Sequence, residues 1–143
     1  MKKYEFTGKT KNSDGVILYQ IRALIDFGTV EAGDLGGWVE SENNLSQEGN
    51  AWVYDNARVH GDARVYGNAQ VRGDATVYDN AQVYGNATVC GDARVGENAE
   101  VDGNAWVGEN AQIDRISDIF EIRHIGSRNG TTTFLEHRAS KFM

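Results

Sequence analysis

A six-residue repeat fills nearly half of this chain and restricts its fold more than any other feature. From Gly49 to Asp114 the sequence divides into eleven hexads, and the third residue of every hexad is alanine. The fifth residue is valine in ten hexads and Ile113 in the last, while the second is always asparagine or aspartate. We interpret residues 43–48 as a degenerate hexad that leads in. A helix is excluded, because a period of six scatters the valines around a wheel of about 3.6 residues per turn.

The spacing within one hexad predicts a short strand followed by a corner. Alanine and valine are two residues apart, so in extended backbone their side chains point to the same side. The step to the next alanine contains Gly, Asp or Glu followed by Asn or Asp, which favour tight turns and tolerate left-handed backbone. Three strands and three corners close a triangular coil of eighteen residues. The repeats and the lead-in therefore predict an all-β, parallel β-helix of about four coils, stacked about 4.8 Å apart.

Residues eighteen apart lie above one another in such a stack, so the sequence also predicts its surfaces. Valine ladders flanked by alanine fill the core. The outward residues form face one (Trp52, Gln70, Thr88, Trp106, with Tyr54, Arg72, Cys90, Gly108), face two (Arg58, Thr76, Arg94, Gln112, with His60, Tyr78, Gly96, Asp114) and face three (Arg64, Gln82, Glu100, with Tyr66, Tyr84, Asp102). So many outward aromatic side chains predict an interface between subunits; the alternative is that they cover the corners of the coil or cover the N-terminal hairpin.

The repeat resembles the hexapeptide-repeat superfamily of left-handed parallel β-helices, in which an aliphatic residue is followed four places on by a small one. The left hand of the coil, and assembly as a homotrimer with parallel axes, are implied by this resemblance and not by the periodicity. The superfamily includes acyltransferases, metal-dependent carbonic anhydrases and non-catalytic proteins, so it does not select a function.

A second resemblance covers the segment before the repeats. Residues 21–28 and 32–46, which contain Gly33-Asp34-Leu35-Gly36-Gly37-Trp38, are similar to the leader of an uncharacterised group of hexapeptide-repeat proteins. That group occurs in enterobacteria and in phages or prophages, and its members are often labelled transferases on the fold alone.

The sequence divides into three regions. Residues 1–42 are predicted to form an N-terminal hairpin and cap, with strands at 4–7 and 16–24 joined near Asp14-Gly15 and with Trp38 closing the open end of the helix. Residues 43–114 form the β-helix. Residues 115–143 leave the period and are predicted to form a C-terminal hairpin that turns at Asn129-Gly130.

The C-terminal region is the one basic part of an acidic chain. The formal net charge is −7 overall, and it is −3 over residues 1–48, −6 over 49–114 and +2 over 115–143. This reversal, with guanidinium, hydroxyl and amide groups around a turn, predicts an anion-binding segment, although a solvated threonine-rich hairpin explains the residues equally simply. The candidate ligand-binding residues are Arg123, His124, Ser127, Arg128, Asn129, Thr131 and Thr132.

Other chemistries fit the residues poorly. The carbonic-anhydrase form of the fold holds its metal with three histidines, but the repeats contain only His60, so we expect no metal. The acyltransferase form uses a histidine base and a cofactor between neighbouring prisms, which leaves His60 as the alternative catalytic residue, with acetyl-CoA. Cys90 has no base nearby in the pattern, and one cysteine cannot form a disulfide within the chain. The acidic balance disfavours nucleic-acid polymers, and no apolar run is long enough to span a membrane.

The hypothesis favoured by the sequence is a non-catalytic homotrimer that binds an anionic small molecule and no cofactor. The phage resemblance suggests a nucleotide-type signal of host defence as the ligand, held in the host cytoplasm. An acyltransferase using His60 and a structural assembly component are the alternatives.

Overall fold

The computed structural model describes residues 2–113 and the backbone of residues 124–125. Three long strands come first: β1 (Tyr4–Ser13), β2 (Val16–Ala23) and β3 (Leu35–Val39). A single turn of 3-10 helix at Glu42–Asn44 follows. Twelve two-residue strands complete the described part: β4 (Trp52–Val53), β5 (Arg58–Val59), β6 (Arg64–Val65), β7 (Gln70–Val71), β8 (Thr76–Val77), β9 (Gln82–Val83), β10 (Thr88–Val89), β11 (Arg94–Val95), β12 (Glu100–Val101), β13 (Trp106–Val107), β14 (Gln112–Ile113) and β15 (His124–Ile125).

The short strands stack into three parallel ladders, which confirms the predicted coil of eighteen residues. Arg58 lies opposite Thr76, and Thr76 lies opposite Arg94. The three sheets run β1-β2-β3-β5-β8-β11-β14, β15-β13-β10-β7-β4 and β12-β9-β6. The protein is thus a β-solenoid of about four turns, as predicted. Its hand stays the expectation that the superfamily resemblance supplies.

The core is the predicted stack of small aliphatic side chains. Every repeat alanine, every repeat valine and Ile113 are at most 2% exposed. Each corner begins with left-handed backbone, on glycine in seven hexads and on Asp55, Asp79, Glu97 and Glu109 in the others. Backbone N–H groups bond to the coil above throughout, as where Arg64 N donates to Ala81 O at 3.0 Å. Each corner adds a bond within its own coil, as where Ala75 N donates to Arg72 O at 3.2 Å, so the backbone groups are satisfied both between coils and at the corners.

The start of the solenoid differs from the predicted lead-in. Val39 pairs with Val59, and Leu45 with Val65, at twenty residues rather than eighteen. Leu45 therefore occupies a valine position, whereas a hexad at residues 43–48 would place residue 47 there. The predicted register of the lead-in is wrong by two residues. The cause is a corner two residues longer between Leu45 and Val53. Parallel pairing already begins in β3. Gly37 occupies an alanine position there, but a Cβ on it would lie 2.6 Å from Ala57 O, so only glycine fits.

Two outward residues are less exposed than the pattern predicts, and Trp38 does not lie where it was expected. Trp52 is 1% exposed because Tyr4 and Phe27 pack edge-on against its indole, with ring centroids 6.1 and 5.3 Å away. Thr76 is 7% exposed. Trp38 does not close the end of the helix: Val39 faces the core, so alternation turns Trp38 outward, opposite Arg58 and beneath the ammonium of Lys11. The alternative of contact with the N-terminal hairpin is therefore correct for Trp52.

The N-terminal hairpin forms as predicted and supplies the cap. Asp14 and Gly15 both have positive φ, which suits the type I′ turn between β1 and β2. The buried Lys3 ammonium donates to the carbonyls of Glu48, Gly49 and Ala51 at 3.5, 3.3 and 2.8 Å. These bonds satisfy carbonyl groups of the enlarged corner and fix the N-terminus across the end of the solenoid.

No helix among the described residues is long and apolar enough to cross a membrane.

Candidate anion-binding pocket

The predicted C-terminal site lies almost wholly outside the described residues. Arg123, Ser127, Arg128, Asn129, Thr131 and Thr132 all fall there. The backbone of His124 belongs to β15, which pairs in parallel with β13 so that His124 lies opposite Trp106. The C-terminal anion site therefore stays a prediction, and the alternative catalytic residue His60 can be located instead.

His60 lies in a cavity of about 150 Å³ between face two and the tip of the N-terminal hairpin. The solenoid side of the cavity carries two guanidinium groups, one imidazole, one phenol and one hydroxyl, and the hairpin side carries a hydroxyl and a carboxylate. The lining residues are Ser13, Asp14, Val16, Arg58, His60, Thr76, Tyr78 and Arg94.

The coil repeat places these side chains. Arg58, Thr76 and Arg94 are the fourth residues of hexads one coil apart, so they form a vertical row on face two. His60 and Tyr78 form the neighbouring row, and their rings stack with centroids 6.0 Å apart at 23°. The hairpin reaches this face because β2 and β3 extend the sheet that contains β5 and β8.

The two guanidinium groups have few acceptors. Arg58 Nη1 donates to Ser13 Oγ at 3.3 Å, while Arg58 Nε is buried with no hydrogen-bond acceptor. The guanidinium of Arg94 lies over the Tyr78 ring, 5.4 Å from its centroid. Within the described part of the chain, neither group forms an ion pair with a carboxylate within 4.0 Å. A buried guanidinium N–H without an acceptor is costly, so the cavity favours a group that accepts hydrogen bonds.

Charges of both signs act on the imidazole of His60. Burial lowers the pKa of His60, and Arg58 and Arg94 lower it further, while Glu40 and Asp79 oppose them. Burial, with the nearby charge of Arg58, also lowers the pKa of Lys11. His60 is consequently a neutral imidazole at pH 7, able to accept a proton or to gain one when a negative charge enters.

A glycine in the next coil allows the aromatic wall of the pocket to form. A Cβ on Gly96 would lie 2.2–2.7 Å from three atoms of the Tyr78 ring. Because glycine leaves that space open, the ring lies flat over the backbone of Gly96 and against His60. Any larger residue at this position would displace Tyr78 from the cavity wall.

A second cavity fits an anion less well. It lies along one corner of the solenoid and is lined by Gly61, Asp62, Asp79, Asn80, Glu97 and Asn98. Its carboxylates repel anions. Among the described residues, no group of three or more His, Cys, Asp or Glu side chains is placed to hold a metal ion.

The sequence pattern predicted the faces but not this pocket. Arg58 and Arg94 were assigned to one outward row, yet the position of the hairpin tip over that row depends on tertiary packing. One feature of the sequence bears on the position of the hairpin, namely the in-and-out alternation of β3. Trp38 points outward and pairs with Arg58, and β3 pairs with β2 of the hairpin, so the hairpin lies beside face two.

Comparison with known proteins agrees on the repeat. A family model described as YdcK beta solenoid repeat matches residues 51–67, 57–73 and 81–97. A segment of 52 residues is 50% identical to a protein of Escherichia coli strain K12 named uncharacterized acetyltransferase YdcK. The segment is 36% of this chain and 15% of that protein, so the chain spans a small part of its curated relative. The matches confirm a hexapeptide-type β-solenoid repeat, shared with a protein named as a transferase.

Proposed function

We propose that this hexapeptide-repeat β-solenoid protein binds a small anionic ligand in the pocket between face two and the hairpin tip. The observation that carries the proposal is the buried Nε of Arg58, which has no acceptor, in the wall of a cavity that a second guanidinium also lines. The guanidinium groups attract an anion to the cavity, whereas the acidic remainder of the protein repels one, so binding is confined to this place.

The pocket chemistry suits a phosphate or carboxylate group. Guanidinium groups bind both with paired, charge-assisted hydrogen bonds, and the hydroxyls of Ser13 and Thr76 can donate further ones. A cavity of about 150 Å³ accommodates one such group and few additional atoms. A larger ligand, such as a nucleotide, would place one phosphate in the pocket and extend along face two.

The finer form of the proposal is that the ligand is a nucleotide-type signal held without turnover. The two guanidinium groups that line the pocket support it, because a nucleotide carries phosphates, and the test is recovery of the unchanged nucleotide after incubation and denaturation. Hydrolysis or modification of the nucleotide would exclude sequestration while leaving anion binding itself intact.

Binding is tested with inorganic phosphate by calorimetry and by NMR titration of the histidine rings, with His60→Gln used for assignment. Phosphate should raise the pKa of His60, since a nearby negative charge stabilises the imidazolium. Arg58→Gln or Arg94→Gln should each weaken binding by about tenfold or more, the usual worth of a charge-assisted hydrogen bond. Arg72→Gln, at an exposed position on face one, is the matched control and should bind as the parent does.

Two outcomes would overturn the proposal. One is the absence of any response of His60 to millimolar phosphate. The other is an equal loss of affinity in Arg72→Gln, which would indicate an effect of the net charge instead of a defined site.

Acyl transfer is the second candidate, and a specific observation favours it. His60 is a neutral imidazole inside the pocket, as a general base must be, and the relative from Escherichia coli is named an acetyltransferase. The cavity fits the acyl end or one phosphate of acetyl-CoA but not the whole molecule. His60 would take the proton from an acceptor hydroxyl or amine as that oxygen or nitrogen attacks the acyl carbon; the thioester C–S bond would then break, and the proton would pass from His60 to the departing thiolate of coenzyme A.

To separate the two candidates, the protein is incubated with acetyl-CoA and a mixture of amine and hydroxyl acceptors. The measured quantity is the free thiol that is released. Thiol release that is lost in His60→Ala, but kept in Arg72→Gln, would establish transfer. Release that persists in His60→Ala would remove His60 from the mechanism, and no release at all would favour binding alone.

A further inference from the structure

Face three has a flat, fixed aromatic surface. The rings of Tyr66 and Tyr84 stack with centroids 4.9 Å apart and planes within 3° of each other. Tyr66 Oη donates to Gln82 Oε1 at 2.9 Å, and Tyr84 Oη donates to Glu100 Oε1 at 3.0 Å. These bonds hold both rings in place, so a partner would not need to order them on binding.

The charges of face three change sign along the solenoid axis. Of the three repeat coils on this face, the first presents Arg64 beside Tyr66, the second presents Gln82 beside Tyr84, and the third presents Glu100 beside Asp102. Arg64 and Glu100 are both exposed, and Arg64 borders a shallow cavity of about 330 Å³ that also contacts Tyr66. The face therefore has one positive end, a neutral aromatic centre and one doubly negative end.

A second copy of the chain could meet this face in two symmetric ways. With parallel axes, residues of the same coil come together, so the carboxylates of Glu100 and Asp102 face their own counterparts and repel. With antiparallel axes, each coil meets the opposite end of the partner face. Arg64 then lies against Glu100 of the second copy, Gln82 against Gln82 and Tyr84 against Tyr84.

We propose that face three joins two copies of this chain in an antiparallel dimer. The charge pattern of the face is complementary to itself in that arrangement, and Tyr84 lies at its centre, where aromatic side chains contribute most to association. The parallel homotrimer implied by the superfamily resemblance would need a different face, because face three places like charges together when axes are parallel.

Charge reversal distinguishes the arrangements. The parent should have twice the 15.7 kDa chain mass by light scattering and sedimentation equilibrium. Arg64→Glu and Glu100→Arg should each weaken the dimer by about tenfold or more, because each places like charges opposite each other. The double variant exchanges the two charges and should restore the parent affinity to within about threefold, as expected for directly coupled sites. Lys9→Glu, on the exposed hairpin, is the control and should have no effect.

Crosslinking gives an independent measurement. In a Cys90→Ser background, a mixture of chains carrying Arg64→Cys and chains carrying Glu100→Cys should form the mixed disulfide faster than either alone forms its own. Circular dichroism and thermal melting establish that each variant is folded. A monomeric parent, an oligomer indifferent to the reversals, a double variant no better than the single ones, or crosslinking within the Arg64→Cys chains alone would each overturn the proposal.

Discussion

Replacing Gly96 with alanine tests the architecture of the pocket wall. The new methyl group would lie 2.2–2.7 Å from three atoms of the Tyr78 ring, whereas carbon atoms in contact are about 3.5–4.0 Å apart. The ring must therefore retreat by about 1 Å or more. That movement disturbs the stack on His60 and the position of the Arg94 guanidinium. Backbone strain does not contribute, because Gly96 is not among the residues with positive φ.

The expected cost is that of overpacking a fixed side chain, about 1–3 kcal/mol. For a chain of this length the unfolding entropy is about 0.3 kcal/mol per kelvin, so Tm should fall by roughly 3–10 °C. The assay is thermal unfolding followed by circular dichroism, with phosphate affinity measured on the same samples. Affinity should fall together with stability, because the displaced ring belongs to the cavity wall.

A double-mutant cycle isolates the contact. In a Tyr78→Ala background the ring is absent, so Gly96→Ala should be neutral or should stabilise the fold by up to about 1 kcal/mol, since alanine restricts the unfolded chain. A loss of stability that is the same with and without Tyr78 would refute the reasoning, because it would trace the effect to the backbone of Gly96.

Three further predictions concern stability and pH. Lys3→Met should lower the free energy of unfolding by about 1–3 kcal/mol in chemical denaturation, since it leaves buried carbonyls without donors, while Lys2→Met at the exposed neighbour should change little. Glu97→Gly should raise Tm, because it relieves left-handed backbone that costs a non-glycine residue about 1–2 kcal/mol, partly offset by the entropy of glycine; an unchanged or lower Tm would contradict this. The pKa of His60 is lower in the folded protein than in the unfolded chain, so the unfolded chain binds more protons between those values and stability falls as pH falls through that window. Denaturation at pH 7 and pH 5 should show this loss in the parent and a smaller one in His60→Gln.

The sequence predicted the solenoid because its pattern is local and repeated. The position of each alanine and valine in its hexad indicates that its side chain points inward, and all eleven hexads agree with a single register. The ladders through Val53, Val59 and Val65 could therefore be assigned without coordinates. The lead-in register could not be assigned, because Leu45 follows no alanine and the two-residue enlargement of the next corner changes the phase. Only the pairing of Val39 with Val59 and of Leu45 with Val65 resolves it.

The candidate site was much less predictable, for a different physical reason. Arg58, His60 and Arg94 could be placed on one face from the period, but the cavity needs Ser13 and Asp14 above them. Contacts between the hairpin and the solenoid join residues more than forty positions apart, and no periodic signal encodes such contacts. The same limit applies to Trp52: its outward position follows from the repeat, whereas the choice of Tyr4 and Phe27 as its partners depends on tertiary packing.

The vertical row of Arg58, Thr76 and Arg94 has a consequence for how such a protein can change length during evolution. The two arginines are two coils apart, so their backbone separation is set at about 9.6 Å by the stacking of strands. Duplication of eighteen residues above Arg94 would lengthen the solenoid and leave the pocket intact. The same duplication between Thr76 and Arg94 would move the upper arginine one coil further from the hairpin and dismantle the site. Lineages that retain the pocket should therefore vary in length only on the side of the solenoid away from the hairpin.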